Sequence, residues 1–360
     1  MMGAGPDVAE TATANMPAGW MAGPGTAHGG MLAAAARRFP NAPQPFVDLS
    51  TGINPQPYPM PDLAPECFTR LPDAEDLARL EAVAARAYGA ASPEMVVAAP
   101  GTQILISLLP HLLPRRDAPN TASVAILSPT YGEHARSWVN AGYLVTEVDS
   151  LEAAGTADRV ILCNPNNPNG HRFAASELRP LADRLAKRGG WLVIDEAFAD
   201  FEAPGTSFVP HLPHPAIVVL RSFGKTYGLA GIRLGFMVAD VTTASLLRLA
   251  LGPWVVSGPA IEAGVTALGD DFWRRTSMAR LAADAARLDA LLTATGLRLV
   301  GGTLLFRLYE GDRASSLLDQ LGRDGILVRG FAGHARWLRF GIPGSPSQWA
   351  RLERLIAAIR

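Results

Sequence analysis

Short apolar runs alternate with amphipathic stretches through the middle of the chain, and this alternation strongly limits the folds that the chain can adopt. The predicted strands are Val124–Leu127, Tyr143–Val148, Arg159–Cys163, Trp191–Asp195, Ile217–Leu220 and Gly235–Val238. The predicted helices of the same region are Asp76–Tyr88, Gln103–Leu113, Glu133–Ala141 and Ser176–Arg188. Such alternation is typical of βαβ units, so we predict an α/β fold with a mostly parallel sheet.

The pattern changes after residue 250, which predicts a second unit. Long helices are predicted at Gly258–Leu268 and Phe272–Thr295, and a closing helix at Ser347–Ile359. Short strands are predicted between them at Leu297–Val300, Thr303–Leu308, Ile326–Val328 and Trp337–Gly341. We therefore predict a flexible N-terminal extension at 1–27, a large domain at 28–250, and connecting helices with a small α+β domain at 251–360. The Pro- and Gly-rich residues 28–65 are expected to wrap the large domain as an extended segment.

Composition excludes several classes of protein. The formal net charge of -1 gives no sign of a nucleic-acid or membrane partner. No apolar run approaches the ~18 residues that span a bilayer, and residues 1–25 lack the pattern of a secretion signal. Cys67 and Cys163 match no metal or redox spacing, and the histidines form no metal-ligand grouping in the sequence. The sequence thus predicts a cytoplasmic protein without a metal site.

Lysine is nearly absent from the chain, so the positions of the remaining lysines are informative. The chain has only Lys187 and Lys225, against thirty arginines. Arginine can replace lysine on a solvated surface, but not where a primary amine must lose its proton and attack a carbonyl. We interpret Lys187, in a polar helix end, as a surface residue. Lys225, in the segment from Ser222 to Arg233, is predicted to form a Schiff base.

Amine attack on a carbonyl points to pyridoxal 5'-phosphate (PLP), which also needs an acid at its pyridine nitrogen and a flat group on its ring. Asp195 ends an apolar strand and is interpreted as that acid, although a strand-end aspartate can simply cap a turn. Asn167, in the Asn- and Pro-rich loop Asn164–Gly170, is interpreted as a donor to the cofactor's phenolate oxygen, although the loop also reads as a plain turn. Tyr131 follows another strand and is predicted to stack on the ring.

A phosphate cradle is predicted where a strand gives way to a helix. Gly101, Thr102 and Gln103 open a predicted helix, whose N-terminus presents free N–H groups and a positive dipole end. Thr102 would also serve as an ordinary N-cap. Ser222 and Arg233 flank Lys225 and are predicted to complete the cradle, since arginine binds phosphate through two parallel hydrogen bonds.

In this order and spacing, the motifs resemble those of fold-type I PLP enzymes in the branch of the histidinol-phosphate aminotransferases, over residues 28–360. The resemblance implies a large PLP-binding domain with a small C-terminal domain, catalytic roles for Lys225 and Asp195, and a homodimer with shared active sites. It also implies that Tyr58 reaches the neighbouring subunit's cofactor phosphate. One residue departs from the pattern: Phe198 stands where those aminotransferases usually carry tyrosine.

The N-terminal segment narrows the resemblance further. His28-Gly-Gly30, the stretch from Asp48 to Pro55, and Phe198 resemble the threonine-phosphate decarboxylases of cobalamin biosynthesis. That family implies PLP-dependent loss of CO2 from L-threonine O-3-phosphate, which gives (R)-1-amino-2-propanol O-2-phosphate. The residues implied for the substrate are Arg339 for its carboxylate and His28, Asn54 and Arg329 for its phosphate. Without the resemblance, His28-Gly-Gly30 reads as a flexible turn and Arg329 as a surface arginine.

Two other functions remain open at this point. An aminotransferase acting on histidinol phosphate or a related amino acid would need a second, oxo acid substrate. A non-catalytic relative would keep only the fold, and the intact set of Lys225, Asp195 and Arg233 argues against it. No Gly-x-Gly-x-x-Gly or Walker A loop is present, which disfavours dinucleotide oxidoreductases and nucleotide triphosphatases.

Overall fold

A seven-stranded sheet forms the centre of the large unit in a computed structural model, which describes residues 28–60, 62–113 and 122–359. The strand order is β2-β8-β7-β6-β5-β3-β4, and only β8 runs antiparallel to the rest. The strands are β2 (Val96–Ala99), β3 (Ser123–Leu127), β4 (Leu144–Val148), β5 (Arg159–Cys163), β6 (Trp191–Asp195), β7 (Ile217–Ser222) and β8 (Gly235–Val238). The prediction of a mostly parallel sheet is confirmed.

Continuous apolar strands in this sheet reflect burial on both faces. Every residue of β5 and β6 is buried. Successive side chains alternate between two cores: Val160 and Leu162 pack on one face, and Ile161 packs on the other. Full burial of such a side chain contributes roughly 1.5–3 kcal/mol, so the sheet forms a rigid base for the loops at its edge.

Helices cover both faces of the sheet, and the seven predicted helices lie within two residues of their predicted bounds, whereas five further helices were not predicted. The helices of the described residues are α1 (Leu32–Arg38), α2 (Glu66–Thr69), α3 (Ala74–Tyr88), α4 (Thr102–Leu112), α5 (Glu133–Asn140), α6 (Ala175–Lys187), α7 (Phe223–Thr226), α8 (Val241–Leu251), α9 (Gly258–Leu268), α10 (Asp271–Thr293), α11 (Ala314–Arg323) and α12 (Pro346–Ile359). None of them is both long and apolar enough to cross a membrane. Side chains of α9 pack into the same core as α3.

A second, four-stranded antiparallel sheet lies in the C-terminal part, in the order β12-β13-β10-β9. Its strands are β9 (Arg298–Gly302), β10 (Phe306–Glu310), β12 (Arg329–Gly330) and β13 (Trp337–Gly341). Side chains of α10, α11 and α12 pack against it in a separate core. The α+β character of this part is confirmed, whereas the domain boundary at 250/251 stays a prediction.

The N-terminal segment differs from its prediction as an extended wrap around the large domain. It contains helix α1, and its strand β1 (Val47–Asp48) pairs in parallel with β11 (Ile326–Leu327) of the small unit. It contacts the large unit at its start, where His28 lies against Glu133, and again after β1, where Asn54 N–H donates to Lys225 O at 2.9 Å and Tyr58 N–H donates to Tyr227 O at 2.8 Å. The segment therefore joins the two units. The predicted extension at 1–27 lies outside the described residues.

Candidate active site

The loops that follow several strands converge at one edge of the large sheet. The carboxyl ends of parallel strands meet there, and ligands of open α/β sheets bind at that edge. Because β8 is antiparallel, its beginning lies at the same edge, which brings Arg233 to the loops. The loops surround a cavity of about 510 Å³. Its lining includes the predicted residues His28, Gly101, Thr102, Gln103, Tyr131, Asn167, Asp195, Ser222, Lys225, Arg233, Arg329 and Arg339.

Lys225 lies on the four-residue helix α7, immediately after β7. Its Nζ is 5.9 Å from the centre of the Phe198 ring. Burial lowers the pKa of Lys225 to about 8, and the charges of Arg339 and Arg233 act in the same direction. Asp195 partly opposes them. A lysine in this setting has a far larger neutral fraction near neutral pH than an exposed lysine and can act as a nucleophile.

Asp195 is held by two hydrogen bonds at the end of β6. Its Oδ1 accepts from Ala197 N–H at 3.0 Å, and its Oδ2 lies 2.9 Å from His134 Nε2. Burial alone would lower the pKa of His134, but Cys163 and Asp195 raise it to about 10. The contact with His134 fixes the side chain of Asp195 in the site, and a carboxylate there can hold a proton on a pyridine nitrogen.

Sequence reasoning missed His134 and the proximity of Cys163. Donor atoms of His134, Cys163 and Asp195 lie within 4.8 Å of one another. The three residues sit on different elements, with 61 positions between His134 and Asp195. No spacing rule could have revealed this cluster, in which the His134 ring meets the Tyr131 ring edge-on with centroids 6.1 Å apart.

The predicted phosphate cradle is assembled around the start of α4. Gly101 has φ +88°, and a Cβ there would lie 2.5 Å from Arg233 Nη2. Arg233 itself has φ 56°, and its Nη1 donates to Ala230 O at 3.1 Å. The absence of a side chain at Gly101 thus lets a guanidinium approach the N-terminus of a helix. Two sources of positive potential, the helix end and Arg233, meet at one place.

Tyr131 follows β3 and Asn167 follows β5, and both residues line the cavity. Tyr131 Oη donates to Gln103 Oε1 at 3.1 Å. Asn167 Oδ1 accepts a short hydrogen bond from Arg339 Nη1. That contact uses the amide oxygen of Asn167, so its Nδ2 is oriented as a donor. This is the polarity that a phenolate ligand requires.

Arg339 is almost fully buried at the small unit's side of the cavity. Its Nη2 donates to Ser50 O at 2.8 Å, and its Nε has no hydrogen-bond partner among the described residues. Burial and the charge of Arg329 lower the pKa of Arg339 to about 9, with Asp48 acting against them. A buried guanidinium with spare donor capacity is suited to bind a carboxylate.

Two predicted residues do not line the cavity. Asn54 is buried: its Nδ2 donates to Thr226 O at 2.9 Å, and its Oδ1 accepts from Arg280 Nη2 at 3.0 Å. Its side chain therefore anchors the N-terminal segment instead of facing a substrate. Tyr58 donates to Asp270 Oδ2 at 3.2 Å and packs edge-on against Trp273. A role for Tyr58 at a neighbouring subunit stays a prediction.

Comparison with known proteins agrees with this geometry. The family model described as aminotransferase class I and II matches residues 60–359. A threonine-phosphate decarboxylase of Pseudomonas aeruginosa is 40% identical over 336 residues, covering 92% of this chain and 98% of that protein. A histidinol-phosphate aminotransferase of Symbiobacterium thermophilum is 33% identical over 247 residues, covering 67% of this chain and 68% of that protein.

The fold is also found among solved structures. The crystal structure of histidinol-phosphate aminotransferase from Sinorhizobium meliloti in complex with pyridoxal-5'-phosphate has a TM-score of 0.77 to this chain at 20% identity. The match covers 91% of this chain and 95% of that one. Family model, relatives and fold agree over most of the length, and the chain belongs to the aminotransferase class I and II family.

Proposed function

We propose that this protein is a PLP-dependent carbon–carbon lyase that decarboxylates L-threonine O-3-phosphate to (R)-1-amino-2-propanol O-2-phosphate in cobalamin biosynthesis. The observation that carries the proposal is the placement of cations around Lys225. Arg233 serves the cofactor phosphate, while Arg339 and Arg329 leave positive charge for a substrate with two anionic groups. The relative that is 40% identical over nearly its whole length, a threonine-phosphate decarboxylase, supports this choice.

The cofactor is pyridoxal 5'-phosphate, and the residues present fit it. Gly101, Thr102, Ser222 and Arg233 form a cradle for its phosphate, with no side chain at Gly101 to fill the space. Asp195, backed by His134, suits its pyridine nitrogen. When bound, this group supplies an electron sink for the electron pair of a bond broken at the substrate's α-carbon.

The ring-facing residues Tyr131, Asn167 and Gln103 complete the proposed cofactor site. Tyr131 is fixed through its hydroxyl to Gln103, which leaves its ring face for stacking. Asn167 is oriented by Arg339 so that its amide N–H groups are available to the phenolate oxygen. The hydrogen bond from Arg339 to Asn167 thus connects the residue proposed to bind the substrate carboxylate with a residue proposed to bind the cofactor.

Lys225 has two proposed tasks. Its neutral amine would hold the cofactor, and its Nζ would carry a proton to and from the substrate's α-carbon. Replacement of CO2 by a proton at the α-carbon balances the reaction, and Lys225 is the titratable group of the cavity with a pKa of about 8, close to neutrality. The ring centre of Phe198 lies 5.9 Å from Nζ. Phe198 has no hydroxyl, whereas the aminotransferases usually carry tyrosine at this position.

Substrate binding is proposed to involve three residues of the cavity. Arg339 holds the carboxylate, and His28 and Arg329 hold the phosphate. Asn54 is not included, because its side chain is fully engaged beneath the loop of Lys225. The two anionic ends of the substrate then fix its orientation, which decides the bond that breaks.

We also propose that the protein is a cytoplasmic homodimer. Both cysteines are free, as expected in a reducing compartment. Large apolar side chains are exposed near the start of α10 and in α2, including Phe272 and Phe68. Such surface is typical of protein–protein contacts. Tyr58 lies next to this surface, because it donates to Asp270, which just precedes Phe272 in the chain.

A substrate comparison tests the proposed function. Purified protein loaded with PLP is incubated with L-threonine O-3-phosphate, L-serine O-phosphate or L-histidinol phosphate, each with and without 2-oxoglutarate. The proposal expects the highest kcat/KM with threonine phosphate and no dependence on 2-oxoglutarate. Turnover of histidinol phosphate that requires 2-oxoglutarate would instead establish the aminotransferase.

A further inference from the structure

The arm formed by residues 28–30 lies at the mouth of the cavity, and its backbone is fixed. Gly30 N–H donates to Ser50 Oγ at 2.8 Å. Gly29 packs so tightly that a Cβ at this position would lie 2.3 Å from Ser50 O. These contacts hold the backbone next to His28 and do not involve its ring. Any residue that holds the ring therefore determines where its nitrogens point.

Two residues lie against the His28 ring: Tyr131, whose ring centre is 6.0 Å from that of His28, and Glu133, which contacts a ring nitrogen. His28 Nε2 lies 3.1 Å from Glu133 Oε1. The side chain of Glu133 is 14% exposed, whereas that of His28 is 42% exposed. Glu133 is the first residue of α5, so its backbone belongs to a rigid element packed on the sheet. The histidine is thus the more exposed partner of this pair.

The carboxylate of Glu133 is itself held in place. Arg136, one turn further along α5, places its Nη1 2.9 Å from the same Oε1. The arginine neutralises the carboxylate, so a phosphate nearby meets no uncompensated negative charge. An isolated carboxylate would repel a phosphate. Because Glu133 is paired with Arg136, it can accept a hydrogen bond from His28 without this repulsion.

A hydrogen bond at one nitrogen of a histidine sets the tautomer and the direction of the other. With Nε2 donating to Glu133, Nδ1 is the nitrogen of His28 left for a ligand, and it donates to a phosphate oxygen when both ring nitrogens carry hydrogen. We propose that Glu133 is a positioning residue that orients His28 toward the substrate phosphate, and so gives the enzyme its preference for phosphorylated amino acids. This inference rests on the proposed function, which assigns His28 to the phosphate.

The test uses the holoenzyme with Glu133→Ala and Glu133→Gln. Glu152→Ala, an exposed carboxylate outside the cavity lining, is the matched control. Two quantities are measured: KM and kcat for L-threonine O-3-phosphate, and dissociation constants for that compound and for unphosphorylated L-threonine. The dissociation constants come from the initial change in the cofactor's visible absorption after rapid mixing, which is recorded before turnover.

The expected result is a loss that depends on the phosphate. Glu133→Ala should raise KM and the dissociation constant for threonine phosphate about tenfold, the scale of one lost charge-assisted hydrogen bond. The value of kcat and the affinity for L-threonine should stay within about twofold. Glu133→Gln keeps an acceptor oxygen and should recover part of the loss. It also keeps the test available if the alanine variant does not fold.

Three outcomes would overturn the inference. These are an unchanged or lower KM in both variants, an equal loss of affinity for the two ligands, or a fall in kcat at constant KM. A wild-type enzyme that releases no CO2 would refute the proposed function alone. The binding comparison would still decide the role of Glu133, because it needs no turnover.

Discussion

Lys225 shows how the surroundings of one residue prepare its chemistry. It is one of two lysines in the chain, and it is the one placed among Asp195, Arg233 and Arg339. Two positive neighbours and burial all favour the neutral amine. The other lysine, Lys187, ends helix α6 away from the cavity. The difference between the two lysines is therefore one of environment, and it can be measured.

Cofactor attachment should depend on pH through Lys225. Below its pKa of about 8 the amine is protonated and cannot attack a carbonyl; above it the amine is neutral. In protein stripped of cofactor, the rate of PLP attachment should rise with pH with a midpoint of about 8. Stopped-flow absorption after mixing with PLP measures this rate. A midpoint near 10.5, the ordinary value for lysine, would show that burial does not act as described.

Substitution of the two lysines by arginine separates charge from nucleophilicity. Lys225→Arg keeps the positive charge but removes an amine that can lose its proton, so turnover should fall by at least about a thousandfold. Lys187→Arg is the matched control and should retain full activity. Initial rates with threonine phosphate give the comparison. Substantial activity in Lys225→Arg would mean that another residue attaches the cofactor.

At the scale of elements, strand ends were predictable where the sequence forms long apolar runs. The bounds of β5, β6 and β8 agree with the predictions, because buried central strands are continuously apolar. The edge strand β2 was missed, since Val96–Ala99 is short and ends in two alanines. β10 begins at Phe306 and not at Thr303, because Thr303 N–H donates to Phe306 O in a bend.

The site was predictable only as far as contiguous motifs reach. Residues of the motifs around Lys225, Asp195 and Gly101 line the cavity. His134, Glu133 and Ser50 were not identified, because their partners come from distant segments. Asn54 was placed at the substrate from its motif, yet its side chain turns inward to Thr226 and Arg280. A motif specifies where the backbone goes more reliably than where each side chain points.

The cradle at the start of α4 makes a prediction about one glycine. Gly101→Ala would place a methyl group 2.5 Å from Arg233 Nη2, at a φ of +88° that alanine rarely adopts. Arg233 must move away from the helix N-terminus, so affinity for PLP should fall about tenfold or more. The dissociation constant is measured by titrating cofactor-free protein with PLP. Gly132→Ala, which has open space at this position, is the control in the same cavity.

An affinity of Gly101→Ala equal to that of the wild type would contradict the cradle. It would mean that the cofactor phosphate binds elsewhere in the cavity. A loss in Gly132→Ala as large as that in Gly101→Ala would point to general damage to the loops.

At the scale of the whole molecule, two units and the segment between them enclose the cavity. The large unit supplies Lys225 and Asp195, the small unit supplies Arg339, and the N-terminal segment supplies His28. The connection through β1 to β11 ties the N-terminal segment to the small unit. Motion of the small unit would therefore move Arg339 and the arm together.

The proposed homodimer predicts a mass of twice the 38.1 kDa chain in light scattering. Phe272 is 75% exposed beside Asp270, the partner of Tyr58. Phe272→Glu should shift the mass toward that of a monomer, since a charge in an apolar contact is costly. Leu144→Glu, at an exposed apolar residue on the outer strand β4, should leave the mass unchanged. A wild-type monomer that is fully active would refute the dimer.

The central claim is that the cavity directs loss of CO2 and not transfer of the amine. The most direct measurement is the ratio of CO2 released to L-threonine O-3-phosphate consumed by the PLP-loaded enzyme in the absence of any oxo acid. A decarboxylase should turn over continuously and release equal amounts of CO2 and aminopropanol phosphate. Consumption without CO2, or an oxo acid product that forms only when an amino acceptor is added, would contradict it.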